Sequence, residues 1–215
     1  MKMYDVPEAK RATRGKSIMN FLALSADENI TSVLPVPKGS DKSDSSLMLV
    51  TSSGVAKKVD AESFSDVRRN GIIAIKLSSN DKLLSAFSVK KGDTAIISTN
   101  GGQAIHFKES DIRQMGRGAA GVRAIKIKAD DFVVGASVVK KDNLKLAQYL
   151  VLTANGYGKK TKIGEYKIQK RGGSGIKTTK VTTKTGKLIA GYVITEEESE
   201  IVAFSKQGQV IRTNL

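Results

Sequence analysis

The chain repeats a short pattern, and this repetition limits its fold more than any other feature. Four apolar segments each run into a turn containing glycine, at Gly54, Gly102, Gly156 and Gly208, so the pattern recurs after 48, 54 and 52 residues. A period of about 40–50 residues is typical of propeller blades. Serine, asparagine and glycine in the turns tolerate the positive φ that tight hairpins require. The sequence therefore predicts an array of units that each begin with a β-hairpin.

Each unit continues in the same order after its hairpin. A short polar connection is followed by a basic loop with glycine, then a third strand that opens with glycine, then a last apolar strand. In the second unit the third strand is predicted at 121–127 and the last strand at 133–139. No segment shows a long helical period. We expect an all-β, propeller-like array of about four four-stranded blades.

The whole chain, 1–215, is expected to form one domain of this kind. Its two terminal pieces are complementary, because the C-terminal piece supplies the two strands that the N-terminal piece lacks. Joining them would close a ring and remove exposed sheet edges; an open array is the alternative, and the sequence leaves both open. The predicted repeats are roughly 47–93, 94–148 and 149–199, with a split blade made of 200–215 and 1–36.

The charge of the chain indicates an anionic partner. Lys and Arg total 36 and Asp and Glu 21, so the net charge is +15. Between Lys159 and Lys187 there are ten basic residues and one acid, Glu165. Nucleic acid is the commonest partner of such a chain. Aromatic residues make up 5% and there is no Trp, which disfavours base stacking. We therefore expect contact with the phosphates of duplex DNA, without sequence preference.

Composition disfavours several other functions. The chain has no Cys and a single His, so no catalytic residues, metal site or cofactor are expected. His106 is interpreted as an ordinary strand residue. The glycine loops precede β-rich strings rather than helices, which disfavours a nucleotide site. No apolar run approaches membrane length and no signal peptide is evident, so we expect a cytoplasmic protein without a membrane partner.

Basic loops with glycine recur at one position of the repeat. In a ring they would fall on one rim, where their cations could contact phosphates without reading bases. For a single loop, a turn glycine beside a solvated arginine is an equally good interpretation. The candidate DNA-binding residues lie in these loops and the strands around them: Arg14, Lys16, Arg68, Arg69, Arg117, Lys159, Lys160, Gln169, Lys170, Arg171, Gly172, Gly173, Ser174, Gly175, Lys177 and Lys180.

Several of these motifs resemble a known family. The segment 169–175 reads Gln-Lys-Arg-Gly-Gly-Ser-Gly, which is close to the gyrase-A box, Gln-Arg-Arg-Gly-Gly-Lys-Gly. Segments 4–9, 15–22, 107–113 and 155–161 are similar to blade segments of the same family. Over essentially its whole length the chain resembles the C-terminal domain of the A protein of DNA gyrase. The corresponding domain of topoisomerase IV is the near alternative.

The resemblance implies a β-pinwheel, whose blades exchange strands with their neighbours. It implies a non-catalytic domain whose basic rim wraps duplex DNA and supports the directionality of supercoiling. The cleavage core and the ATPase subunit would be its partners in the full enzyme, near the bacterial nucleoid. Lys170 and Arg171 would contact phosphate.

Several features depart from the family pattern. In the box, Lys170 replaces an arginine and Ser174 replaces a lysine, which removes one cation. The box follows the 4–9 region by three repeats rather than preceding it, and about four blades replace about six. A propeller-like scaffold for protein interactions, with charge that serves only solubility, is the alternative from another class.

Overall fold

A computed structural model describes residues 6–10, 12–22, 24–25, 28–35, 45–65, 71–196, 198, 200–204 and 208–215. Two groups of residues used in the predictions lie outside these ranges: the Tyr4-Asp5 pair of segment 4–9, and the loop cations Arg68 and Arg69. The described helices are single 3₁₀ turns at Ile18–Asn20, Ala61–Phe64, Glu109–Asp111, Lys141–Asn143 and Ile163–Glu165. None of them is long or apolar enough to span a membrane.

Strands account for the rest of the regular structure, as the alternation of apolar segments and glycine turns predicts. In chain order they are β1 (Ser45–Thr51), β2 (Val55–Asp60), β3 (Leu83–Lys90), β4 (Thr94–Thr99), β5 (Gln103–Lys108), β6 (Val122–Arg123), β7 (Val133–Val139), β8 (Gln148–Thr153), β9 (Gly158–Lys162), β10 (Ile176–Lys177), β11 (Leu188–Ile194), β12 (Glu200–Phe204) and β13 (Val210–Asn214). The all-β prediction is confirmed.

The strands form separate antiparallel sheets, one for each repeat. The described sheets have the strand orders β3-β1-β2-β6, β7-β4-β5-β10, β11-β8-β9 and β12-β13. The hairpin turns share one geometry, with φ between 80° and 81° at Gly54, Gly102, Gly156 and Gly208. After the hairpin, the predicted polar connection forms a 3₁₀ turn in three successive repeats. The repeat in the sequence is therefore a repeat in backbone conformation.

Neighbouring sheets exchange strands. The short strand β6 belongs to the second repeat in sequence, yet it pairs with β2, with Val55 opposite Arg123. In the same way β10, from the third repeat, pairs with β5, with Ile176 opposite Ala104. The strands of these two four-stranded sheets are thus not consecutive in the chain. The predicted third strands are two residues long rather than seven in the second and third repeats, and the corresponding segment of the first repeat, 71–77, forms no strand. The exchange that the resemblance implied is confirmed.

The sheets pack face to face around two apolar cores. Strand β4 is buried along its whole length, and its alternate residues face opposite ways, as the pleat requires. Ile97 packs into the core shared with the first sheet, together with Met48 and Phe107. Ile96 packs into the core shared with the third sheet, together with Tyr149. The second sheet therefore joins its two neighbours into one stack.

The last strands of the repeats lie side by side, with β7 between β3 and β11. Two glycines permit the closest approach. A Cβ on Gly135 would lie 2.7 Å from the backbone of Gly191, and a Cβ on Gly191 would overlap the Tyr149 hydroxyl. Since real Cβ atoms do not approach other atoms so closely, these positions require glycine.

Closure of a ring by the N-terminal and C-terminal pieces stays a prediction. Among the described residues of the C-terminal piece, β12 pairs with β13, with Ile201 opposite Thr213. The described part of the N-terminal piece contacts the first sheet, where the Ala86 amide donates to Ser32 Oγ at 3.1 Å. Phe204 in β12 is 74% exposed. An exposed apolar hairpin of this kind is consistent with a blade that still needs a partner.

Candidate nucleic-acid interface

The glycines that open the third strands adopt a left-handed conformation. The φ angles are 70° at Gly15, 71° at Gly71, 97° at Gly121 and 69° at Gly175. A Cβ at Gly175 would lie 2.3 Å from the carbonyl oxygen of Ala104. Residues other than glycine are strained at such angles. At Gly121 and Gly175 the missing Cβ also lets the loop backbone approach the preceding sheet, so the first role of these two glycines is structural.

Main-chain hydrogen bonds fix the loop 169–175, hereafter the box loop, between two repeats. The Gln169 amide donates to the His106 carbonyl at 2.8 Å, and the Lys126 amide donates to the Gly173 carbonyl at 2.8 Å. The loop therefore contacts both β5 and the third segment of the preceding repeat. Its position does not depend on a bound ligand.

The loop of the second repeat, 115–121, is held by equivalent bonds. The Met115 amide donates to the Lys58 carbonyl at 2.8 Å, and the Lys76 amide donates to the Ala119 carbonyl at 3.2 Å. Each loop thus occupies the same position against the sheet before it. This supports the prediction that the loops lie in register along the array.

The side chain of Arg171 is used within the protein. Its Nε donates to the Asp111 carbonyl at 2.9 Å and its Nη1 donates to the Arg123 carbonyl at 3.0 Å. Charged donors make stronger hydrogen bonds than neutral ones. Arg171 therefore ties the box loop to the preceding repeat, a role that the sequence did not reveal.

Lys170 points away from the protein instead. Its side chain is 92% exposed, and its Nζ lies 3.2 Å from an Asp111 carboxylate oxygen. An exposed ion pair of this kind contributes little to stability. The ammonium group can therefore exchange this partner for a phosphate at small cost.

Lys57 is a buried cation that the sequence analysis missed. Its side chain is fully buried, and its Nζ donates to the Ala74 carbonyl at 2.8 Å and to the Arg117 carbonyl. Burial lowers the pKa of Lys57, because a low-dielectric environment disfavours the charged form. The pattern of alternating residues in β2 could have indicated an inward-facing position.

The Ala74 carbonyl, one of the two that accept from Lys57, has a counterpart in the second and third repeats. Each of these three carbonyls accepts a hydrogen bond. In the third repeat Lys159, a predicted DNA contact, uses its Nζ for this bond. The acceptors and donors are Ala74 with Lys57 Nζ at 2.8 Å, Ala124 with the Gly172 amide at 2.6 Å, and Thr178 with Lys159 Nζ at 2.7 Å.

The other described candidates are exposed, as a surface for a polyanion requires. They are Arg14, Lys16, Arg117, Lys160, Lys177 and Lys180. Lys160 and its neighbours belong to β9, the edge of the third sheet as far as the described residues show. Arg14 and Lys16 line a depression of about 600 Å³ in the N-terminal piece. Arg68 and Arg69 lie outside the described residues.

His106 is buried and fully bonded. Its Nδ1 lies 2.8 Å from the Tyr166 carbonyl and its Nε2 lies 2.7 Å from Thr94 Oγ1. Burial lowers the pKa of His106, although the bond to Tyr166 acts in the opposite direction. A neutral imidazole then donates from Nδ1 and accepts at Nε2. His106 joins the second strand of one repeat to the connection that leads into the box loop.

Several acids have structural partners. The Asp131 carboxylate accepts from Thr99 Oγ1 at 2.7 Å and from the Gly101 amide at 2.7 Å. Asp81 occupies the equivalent place in the first repeat. Burial alone would raise the pKa of Asp81, but hydrogen bonds from Ser53 and neighbouring residues lower it overall. Within the described residues, no three His, Cys, Asp or Glu side chains form a group that could hold a metal.

Loops held in register on strand-exchanged sheets define a β-pinwheel with basic, glycine-containing loops. A family model described as "DNA gyrase C-terminal domain, beta-propeller" matches residues 1–37, 45–90, 93–140, 148–195 and 199–215. The chain belongs to the DNA gyrase C-terminal domain family. The resemblance based on the box and the blade segments is therefore confirmed.

Curated relatives agree with this assignment. The A protein of DNA gyrase from Buchnera aphidicola subsp. Baizongia pistaciae is 37% identical over 215 residues, which is 100% of this chain and 25% of that protein. The gyrase A protein from Mycobacterium leprae is 38% identical and covers 99% of this chain and 16% of that protein. The chain thus spans about a quarter or less of these relatives.

Solved structures share the fold. A structure titled "Structure of DNA gyrase A C-terminal domain" has a TM-score of 0.79 at 28% identity and covers 94% of this chain and 66% of that chain. The C-terminal domain of DNA topoisomerase IV has a TM-score of 0.81 at 21% identity, covering 93% and 60%. At that identity the second likeness concerns the fold alone.

Proposed function

We propose that this chain binds and wraps duplex DNA as the C-terminal domain of a DNA gyrase A protein. The observation that carries the proposal is the regular placement of exposed cations beside glycine loops that already have fixed positions. Since main-chain hydrogen bonds within the protein hold these loops, binding does not require the loops to become ordered. The net charge of +15 supplies attraction to phosphate that does not depend on base sequence.

The domain itself is proposed to be non-catalytic. Asp81, Asp131 and His106 have structural hydrogen bonds, so they are poorly placed to react with a substrate. In the full enzyme, the cleavage core and the ATPase subunit would perform the chemistry, and the wrapped DNA would give supercoiling its direction. We place the domain in the bacterial cytoplasm with the nucleoid, because its proposed ligand lies there.

Between the two related enzymes, gyrase is the better proposal. Among the solved structures the gyrase A domain is 28% identical to the chain and the topoisomerase IV domain 21%, and curated gyrase A proteins are 34–38% identical over the chain. The hydrogen bonds of the loop cations support a choice among the candidate DNA contacts. In the box loop we assign this role to Lys170 rather than to Arg171, whose guanidinium holds the loop. In the second repeat we assign it to Arg117.

Binding of unrelated short duplexes at increasing salt concentration tests the proposal. Each phosphate contact contributes about 0.9 to the slope of log K against log salt, so several contacts should reduce affinity by orders of magnitude between about 50 and 200 mM. Energy transfer between dyes at the two duplex ends should rise on binding, since wrapping brings the ends together. Salt-independent binding would instead favour the protein-interaction scaffold.

A topology assay tests wrapping directly. Relaxed plasmid is incubated with the chain and a relaxing topoisomerase, and the protein is then removed. Wrapping in one direction leaves a shift in linking number that grows with protein concentration. An unchanged linking number, together with salt-sensitive binding, would retain DNA binding and reject wrapping.

A further inference from the structure

A polar cleft opens between the box loop and the repeat before it. Its volume is about 160 Å³, and its lining consists of Thr99, Gln103, Lys126, Lys128, Asp131 and Ser174. Lys126 and Lys128 are exposed and belong to the third segment of the second repeat. Neither of them is among the cations that the sequence analysis selected. The cleft is therefore lined by two lysines and a serine that come from two different repeats.

The backbone fixes this arrangement. The Lys126 amide donates to the Gly173 carbonyl at 2.8 Å, which places the lysine segment directly beside Ser174. The box loop is also fixed on its other side, where the Gly175 backbone packs closely against Ala104. Because both walls are tied to each other, the cleft does not need to form on binding.

The charges in the cleft favour an anion. Asp131 is the acid among the lining residues, and its carboxylate accepts hydrogen bonds from Thr99 Oγ1 and the Gly101 amide. These donors hold the carboxylate at the hairpin turn, and its single negative charge is outnumbered by the two lysines of the lining. The lining has no aromatic side chain, so no base can stack there. A phosphate group of a polynucleotide backbone fits this chemistry better than a base or a nucleoside.

We infer that this cleft is a phosphodiester-binding site, in which Lys126 and Lys128 pair with a backbone phosphate of the duplex and Ser174 Oγ donates to it. The inference rests on the proposed function and identifies where the duplex is held. Ser174 is the box residue that lacks the cation of the family pattern, and the two lysines supply charge at the same place. The site lies between repeats, so it would hold DNA as it passes from one repeat to the next.

The first repeat provides an internal comparison. Lys76 corresponds to Lys126, but Ser78 stands in place of Lys128, and Ala120 stands in place of Ser174. The equivalent position there has one lysine and no hydroxyl from the loop. We therefore expect the phosphate site between the second and third repeats to contribute more to binding than its counterpart.

A pair of charge-matched variants tests the inference. Lys126→Gln with Lys128→Gln removes both cations of the cleft. Lys90→Gln with Lys91→Gln removes two exposed lysines at the end of β3 and the start of the turn that leads into β4. The cleft lies at the other end of β4, at Thr99, and the length of this strand separates the two places by about 17 Å. Both double variants lower the net charge equally. They differ in whether the proposed phosphate site is affected.

The measurement is duplex affinity as a function of salt concentration, for the whole 215-residue chain. If a phosphate spans both lysines, the cleft variant should lower the salt slope by about 0.9 to 1.8 and the affinity by about tenfold or more at low salt. The control variant should lower the slope by less than half as much. Thermal melting of both variants checks that neither is unfolded.

A rescue variant gives a second, independent readout. Ser174→Lys adds a cation at the box residue that lines the cleft, and the side chain is exposed. Introduced into the cleft variant, it should restore about 0.9 of the salt slope. Equal losses in the two double variants, or no recovery with Ser174→Lys, would overturn the cleft as the site. If the unaltered chain lacked salt-sensitive affinity, the proposed function itself would be wrong.

Discussion

The two glycine loops at 115–121 and 169–175 have the same backbone position and different means of attachment. In the second repeat the sheet supplies the holding cation, because buried Lys57 donates to the Arg117 carbonyl. In the third repeat the loop supplies it, because Arg171 donates to carbonyls of the preceding repeat. Main-chain hydrogen bonds and glycines therefore place both loops against the preceding sheet. The equivalent arginines, Arg117 and Arg171, then have different roles.

This difference is the basis for our proposal that the two arginines have different roles. A loop arginine is available to a phosphate only where another group holds the loop. By this reasoning the Arg117 side chain is available to a phosphate, whereas the Arg171 side chain is already hydrogen-bonded within the protein, although the two occupy equivalent sequence positions. Lys170 then carries the external charge of the box loop. The comparison makes predictions that separate structural from binding roles.

The largest effect is expected at the glycines that open the third strands. Gly175→Ala places a Cβ 2.3 Å from the Ala104 carbonyl oxygen at a φ of 69°, so it should destabilise the fold by about 3 kcal/mol or more. Gly121→Ala, with its nearest atom at 2.8 Å, should cost somewhat less.

Gly118→Ala is the matched control, because a Cβ there meets nothing within 4 Å. Chemical denaturation of the three variants measures the differences. Similar stabilities for Gly175→Ala and Gly118→Ala would contradict the close packing of the box loop against the second sheet.

The next effect concerns the buried cation. Lys57→Met keeps an apolar chain of similar length but leaves the Ala74 and Arg117 carbonyls without its hydrogen bonds, so we expect a loss of about 1–3 kcal/mol. Lys159→Met removes the equivalent bond at an exposed position, where water can replace it. Its cost should be below about 1 kcal/mol, and equal costs in urea unfolding would refute the distinction.

A smaller effect should separate the arginines of the two loops. Arg171→Ala removes two charged hydrogen bonds and should cost about 1–1.5 kcal/mol of stability. Arg117→Ala should leave stability nearly unchanged and reduce the salt slope of DNA binding by about 0.9. Lys170→Ala should behave like Arg117→Ala. Melting and binding are measured on the same samples, and a stability loss in Arg117→Ala with none in Arg171→Ala would reverse the assignment.

The smallest effect is a pH dependence from the single histidine. Because burial lowers the pKa of His106 in the folded chain below its usual 6.5, the unfolded chain binds a proton more readily as the pH falls below about 6.5. Stability is therefore fully present above that pH and is lost progressively as the pH falls below it. His106→Asn should remove this part of the pH dependence. If the melting temperature of His106→Asn falls between about pH 7.5 and 5.5 as much as that of the unaltered chain, His106 is not the source of the pH dependence.

Much of the architecture could be predicted from the sequence because it is local. The turn glycines at 54, 102, 156 and 208 predicted the hairpins, and the structure has them all at nearly the same φ. The polar connections that follow became 3₁₀ turns. Strand partners were harder, since β6 and β10 pair outside their own repeats and nothing in Val122 or Ile176 specifies which sheet they join.

The candidate DNA-binding residues stay a prediction, but the sequence did indicate that basic loops recur at one position of the repeat, and the structure holds two of these loops by equivalent main-chain bonds. The sequence could not distinguish Arg171 from Lys170, because adjacent cations have the same charge and differ only in which carbonyls lie near them. Lys126 and Lys128, which we propose as phosphate contacts, were not selected, since they lie beside the box loop only in the folded chain.

The order of the residues is enough to establish the repeat, the strand and turn chemistry, the excess of positive charge and the family. These depend on residue type and on neighbours a few positions away. Only the folded chain shows which sheet receives each third strand, which loop cations are used within the protein, and where two repeats form a cleft. Those outcomes depend on contacts between residues of different repeats, and such contacts are set by the packing of whole sheets.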